Sequence, residues 1–215
     1  AIGGLIIIGW MSRSYVEKIV SAAEVPAVLL DFQMKGLQCD SVMSSNFVGM
    51  YKMTRYLLER GHRDIAFVGS VQANDNILDR FYGYRKALIE AGIRMREEWI
   101  LEDRDLQKGL SKVEVPENMP SAFACNSDWA AGLLYNILSE RGYRIPEDVS
   151  IVGYDNYLYG NSFSERLTTY NVDMRAMAHQ AVKFLKEKIK GDEKHWRTRY
   201  IDSVVIERSS VKTLI

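Results

Sequence analysis

Helical stretches that open on a capping side chain and close on a glycine alternate along this chain with short apolar runs, and that order constrains the fold more than any other feature. The runs 5–8, 27–30, 41–43, 65–68, 99–101, 122–125, 149–154 and 168–172, with a closing pair inside 200–207, have the length of strands. Most are rich in Val, Ile and Leu without polar alternation, as expected of strands covered on both faces. Between them one helix is expected after Asn46, with Phe47, Met50, Tyr51, Thr54, Leu57 and Leu58 on one side and a stop at Gly61. A second should open at Asp79 and stop at Gly92, and a third should be capped by Asn126 or Ser127 and end at Gly142. A fourth, capped by Asp173, turns Met177, Ala181, Phe184, Leu185 and Ile189 inward and ends at Gly191, and a shorter one covers 14–23. This rhythm is that of βαβ units, so the expected class is α/β with doubly wound, mainly parallel sheets. Only 103–120, with Gly109, Pro116, Asn118 and Pro120 and little apolar period, breaks it; a loop with at most a short helix is expected there.

Composition narrows the function. With 215 residues, 47% of them hydrophobic, the chain can bury one large core or two smaller lobes. Its 28 basic and 28 acidic residues cancel, and no segment gathers Lys and Arg into a stripe, so any nucleic-acid binding must come from elsewhere. Cys39 and Cys125 show no C-x-x-C spacing and read as free thiols, which suits a cytoplasmic location. The apolar run 5–8 is too short to span a bilayer or to form the core of a signal peptide. Ala1-Ile2-Gly3-Gly4 leads directly into a strand of buried character, as expected of a piece of a longer protein.

Neither a G-x-x-x-x-G-K-[ST] phosphate loop, a G-x-G-x-x-G turn nor a G-x-S-x-G elbow occurs, and His62, His179 and His195 form no H-E-x-x-H pair. No catalytic residue, metal or cofactor is expected, and the chain does not read as an enzyme. His62 is chemically the most inviting, because histidine titrates near neutral pH. A turn histidine at the N-terminal end of the next strand, away from any ligand, is the favoured reading.

In an open parallel sheet the strand C-termini point to one side, and ligands bind there. The residues just past strand ends are Gly9-Trp10-Met11-Ser12, Asp31-Phe32, Ser44-Ser45-Asn46, Ser70, Asn126-Ser127-Asp128-Trp129 and Asp155-Asn156. Three polar side chains suit a small polyol: Asp155 offers two acceptor oxygens to vicinal hydroxyls, Arg80 a planar donor fork, and Asn126 both a donor and an acceptor. Trp129, Trp10 and Phe32 supply flat apolar faces for the C–H side of a ring. Each has a plainer alternative. Asp155 can cap a turn with Asn156, Arg80 can pair with Asp79 at the surface, Asn126 or Ser127 can be no more than an N-cap, the tryptophans can be core, and Asp128 stands between capping and contact.

Five stretches then fall into register. They are 54–69, with Glu59-Arg60-Gly61-His62-Arg63 at its centre; Asp79-Arg80-Phe81-Tyr82-Gly83-Tyr84-Arg85-Lys86-Ala87-Leu88; Pro146-Glu147-Asp148-Val149-Ser150-Ile151-Val152-Gly153-Tyr154-Asp155-Asn156; Leu167-Thr168-Thr169; and Val205-Ile206-Glu207-Arg208-Ser209-Ser210. In this order they resemble the regulatory domain of the LacI–GalR repressor family. The resemblance implies two lobes of the periplasmic-binding-protein-like type I fold joined by three chain crossings. The first would be 1–69 with about 172–201, incomplete, and the second 70–171 with about 202–215. It implies effector contacts at Arg80, Asn126 and Asp155, a ligand-contacting loop at Asn74, and Trp10, Phe32 and Ser44 facing the ligand from the first lobe. It also implies a small-molecule effector, with a sugar favoured and a purine second, a homodimer, and operator DNA bound through a headpiece outside this chain, with no membrane role. The rival is a periplasmic sugar-binding protein of a transport system, which shares the architecture. Ser44-Ser45 stands where family members commonly carry Asp-Asn, and 103–120 is shorter and less helical than usual, so no particular effector carries over.

Overall fold

A computed structural model describes residues 2–109, 111–157, 162–191 and 195–214. The chain folds into two compact α/β units and passes between them three times, after Ser45, Val172 and Asp202.

The first unit comprises 1–45 and 173–202. Strand β1 (Leu5–Ile8) leads through helix α1 (Arg13–Ala23) to β2 (Ala27–Leu30) and β3 (Asp40–Ser44), and later in the chain α5 (Met174–Ile189) and β9 (Thr198–Ile201) return to it. The strands are parallel in the order β1-β2-β3-β9. Ile7, Val16, Ala27, Leu29, Phe32 and Cys39 form its core. Asp40, fully buried, accepts from the backbone N–H of Arg197 at 2.7 Å and from Arg197 Nη2 at 3.0 Å, and so ties the start of β9 to the start of β3.

The second unit comprises 46–172 and 203–215. It holds α2 (Asn46–Glu59), β4 (Ile65–Val68), α3 (Asp75–Glu90), β5 (Ile100–Leu101), β6 (Ala122–Cys125), α4 (Asp128–Glu140), β7 (Ser150–Asp155), β8 (Thr168–Asn171) and β10 (Val205–Ile206). Its sheet runs β10-β8-β7-β6-β4-β5, parallel except for β10 on β8. Successive strand residues point to opposite faces and both faces are covered. Ile65, Phe67, Ala122, Ala124, Val152 and Tyr154 meet the α2–α3 side, while Ala66, Val68, Phe123, Cys125 and Ile151 meet the α4 side. That double cover explains why these runs lack polar alternation.

Three boundaries differ from those expected. Residues 46–69 belong to the second unit, because α2 packs on α3 and β4 hydrogen-bonds to β5 and β6. Helix α3 begins at Asp75 and not at Asp79, since Asn74 is its N-cap and accepts from the N–H of Ile77 at 3.0 Å. Trp99 ends a short 3₁₀ turn (Glu97–Trp99), which leaves β5 only two residues. The close approach of α2 and α3 requires Gly83, where a Cβ would collide with the carbonyl oxygen of Phe47. His62 is fully buried ahead of β4, with Nδ1 2.9 Å from Ser121 Oγ and Nε2 3.1 Å from the carbonyl of Lys212. It is the structural turn histidine, and burial lowers its pKa.

Candidate functional site

Parallel pairing of β4, β6, β7 and β8 brings Gly69-Ser70, Asn126, Asp155-Asn156 and Asn171 to the same end of the second unit's sheet. Helix α3 adds one cation. Arg80, only 7% exposed, lies with its guanidinium carbon 3.8 Å from the centroid of the Tyr154 ring. Its Nε donates to Asn46 Oδ1 at 2.8 Å and its Nη1 to the backbone carbonyl of Asn126 at 2.6 Å. The same Nη1 stands 3.7 Å from Asp155 Oδ1, an ion pair longer than a hydrogen bond. Arg80, Asn126 and Asp155, expected together from the sequence, are therefore joined through one planar fork.

Asp155 and Asn156 carry positive φ, 115° and 57°, which side-chain-bearing residues seldom adopt. Such strain persists only where surrounding bonds over-determine it, and it concentrates at binding sites. Here the carbonyl of Asp155 accepts from the N–H of Val172 at 3.1 Å. The Asn156 side chain donates to Asn171 Oδ1 at 2.9 Å and accepts from Arg208 Nη2 at 2.7 Å. The strained turn holds the Asp155 carboxylate at the strand tip.

Asn126 has its amide fixed by two acceptors. Nδ2 donates to the carbonyl of Val68 at 2.9 Å and to Asp103 Oδ2 at 3.0 Å. Asp103 also accepts from the N–H of Ser70 at 2.9 Å and receives Arg104 through Nε and Nη2 at 3.1 and 2.7 Å. Burial works against its charge, but the Arg104 guanidinium, the Ser70 N–H and the Asn126 amide together hold its pKa down to about 2.

Asp128 behaves oppositely. Burial raises its pKa to about 6, against the partial support of the Thr169 hydroxyl at 2.6 Å and the Tyr157 N–H at 2.7 Å. Gly153 leaves room for this carboxylate, since a Cβ there would collide with Asp128 Oδ1. Ser127, not Asn126, caps α4, accepting from the N–H of Ala130 at 3.1 Å. Trp129, about half exposed on the first turn of α4, donates from Nε1 to Ser111 Oγ at 3.2 Å. Asn74 serves as the α3 cap described above.

In the first unit Trp10, Phe32 and Ser44 stand at the tips of the neighbouring strands β1, β2 and β3. Trp10 is 62% exposed, whereas Phe32 packs into the core with Ile7, Val16 and Leu29, and Ser44 is buried. Positive φ recurs at these tips, at Gly9 and Asp31.

Two residues of the second unit's network were not singled out beforehand. Asn46 lay among the strand-tip residues without an assigned role. Asp103 was hidden in a stretch with no periodicity, and only its position beside Ser70 shows what it does. Among the described residues, no three His, Cys, Asp or Glu side chains come together to hold a metal ion, and no helix is long and apolar enough to cross a membrane.

Comparison with known proteins gives a consistent picture. The family model for the periplasmic binding protein-like domain matches residues 54–211. The HTH-type transcriptional repressor PurR of Vibrio atlanticus (strain LGP32) is 33% identical over 217 residues, covering 99% of this chain, which spans 65% of that protein's length. A transcription regulator from Lactobacillus plantarum superposes with a TM-score of 0.83 at 23% identity, over 100% of this chain and 83% of its own. A LacI family transcriptional regulator from Enterococcus faecium, solved with bound ribose, gives a TM-score of 0.78 at 24% identity, over 100% of this chain and 81% of its own.

Proposed function

The chain belongs to the periplasmic binding protein-like domain family, and from that premise we propose that it is the effector-sensing part of a LacI-type transcriptional regulator. The effector is a neutral sugar, held at the strand tips of the second unit's sheet. Operator DNA is bound by a headpiece outside this chain in a homodimer. The observation that carries the reading is the Arg80 fork joined to Asn126 and Asp155 at the strand tips of the second unit's sheet. Arg80 and Asp155 offer a donor fork and two acceptors to vicinal hydroxyls. The exposed ring of Trp129, on the first turn of α4, supplies an apolar face of the kind that sugar C–H groups favour. The repressor name of the relative and the bound ribose of the structural neighbour agree with this reading and favour it over a transport component.

Effector acts through differential affinity for two relative orientations of the lobes, since a ligand that binds both equally shifts neither. The closing experiment is calorimetric titration of the chain with D-ribose and a panel of other neutral sugars, repeated for Arg80→Ala and Asp155→Ala. One sugar should bind, and each substitution should weaken it about tenfold or more. A panel with no binder, or a binder indifferent to both substitutions, overturns the reading.

A further inference from the structure

We propose that Asn46 is a further ligand-binding residue of the second unit, and that its amide N–H and the side-chain carbonyl of Asn126 form a donor–acceptor couple for a single ligand hydroxyl. This builds on the effector reading above and names the chemical group that the site engages. Arg80 Nε donates to Asn46 Oδ1, which decides the way round of that amide, because a guanidinium offers only donors. The other end, Asn46 Nδ2, is buried and has no hydrogen-bond partner. Buried polar groups in native proteins are nearly always partnered, so an orphaned N–H beside a buried cation calls for an absent acceptor.

Asn126 is fixed in the opposite sense. Its Nδ2 faces two acceptors, the Val68 carbonyl and the Asp103 carboxylate, so its carbonyl oxygen must point away from both. No hydrogen bond from a described residue reaches that oxygen, although Asn126 is 1% exposed. The two amides are held by one guanidinium, through Asn46 Oδ1 and through the backbone carbonyl of Asn126. One buried, orphaned donor and one acceptor with no protein partner among the described residues thus belong to the two asparagines that Arg80 holds.

Few groups satisfy both. A hydroxyl donates one hydrogen bond and accepts others, so it can give to Asn126 and take from Asn46. A carboxylate or phosphate only accepts and would set its oxygens against the Asn126 carbonyl. An ammonium only donates and would face the Asn46 N–H and the Arg80 charge. The site therefore selects a neutral hydroxyl over either ion.

The variant that tests this is Asn46→Asp, which keeps the oxygen that Arg80 engages and turns the orphaned N–H into an acceptor at nearly constant shape. Affinity for D-ribose, or for whichever neutral sugar of the panel binds the wild type, should fall about tenfold or more. The monodeoxy analogue lacking the engaged hydroxyl should bind wild type and variant equally. In the ligand-free chain the thermal midpoint of Asn46→Asp should equal or exceed that of wild type, because an unpartnered buried N–H is exchanged for an ion pair. A lowered midpoint, or a sugar held equally by both proteins, overturns the proposal and leaves the effector reading intact. If no sugar binds wild type, the effector reading fails and this inference with it.

Discussion

The guanidinium of Arg80 lies over the face of Tyr154, its carbon 3.8 Å from the ring centroid, so a helix residue is braced against the strand whose next residue is Asp155. A planar cation can stack there and still direct its N–H groups sideways to Asn46 and Asn126. Arg80→Lys keeps the charge and loses the fork. Because two buried acceptors lose their donors, the variant should be destabilised by about 1–3 kcal/mol, read from the midpoint of urea unfolding. Unchanged stability would mean that these contacts are incidental.

Gly83 lies one turn beyond Arg80, against the Phe47 carbonyl. The obstacle is backbone and cannot rotate away, so Gly83→Ala must part α2 from α3. Overpacking of this kind costs about 1–3 kcal/mol. Since α3 also carries Arg80, sugar affinity should fall together with stability. A Gly83→Ala protein of wild-type stability would contradict the close approach.

Asp128 gives the second unit an unusual pH dependence. Its folded pKa, about 6, lies above its ordinary value of 3.8, so the folded chain takes up a proton before the unfolded chain does. Its contribution to stability therefore rises as pH falls from about 6 to about 4, by about 3 kcal/mol in all. His62 acts in the opposite direction, because its lowered pKa makes the folded chain lose stability as pH falls through the ordinary 6.5. Asp103, held at about 2, is lost as a stabilising group only below about pH 4. Denaturant unfolding of wild type and Asp128→Asn across pH 4–7 should give a difference that changes steadily through this window. A constant difference would show that Asp128 titrates normally.

In the first unit, Asp40→Ala removes the acceptor for both the backbone and the side chain of Arg197. Arg197 is about one-third exposed, so its charge can turn to water, and the expected loss lies at the lower end of about 1.5–3 kcal/mol. Faster proteolysis within 195–202 would report the loosened β9. Protection equal to wild type would place the anchor elsewhere.

Much of this architecture was legible in the sequence because its signals are local. Asp173 caps α5 and Gly191 follows its end, and Ser127 caps α4, as their types and spacing imply. Asn126 and Asp155 come to the same end because strand tips converge in any parallel sheet, and Arg80 reaches both from α3. What stayed hidden depends on pairing across the chain. Nothing in the period of α2 tells which sheet it covers, and so 46–69 was assigned to the other lobe. Phe32 follows a strand and yet turns into the core, which its neighbours decide and its position does not. Asp103 acquires meaning only when β5 lies beside β4 and brings it to Ser70 and Asn126.

The three passages of the chain between units set an order of events during synthesis. Arg60 and His62, near the start of the second unit, find partners in Leu214 and Lys212, and the edge of β8 is closed by Ser210. Synthesis must therefore reach residues 212–214 before Arg60 and His62 can complete these bonds. Until then His62 Nε2 lacks its Lys212 partner, and a frameshift in 203–214 removes bonds at the start of the unit as well as at its end.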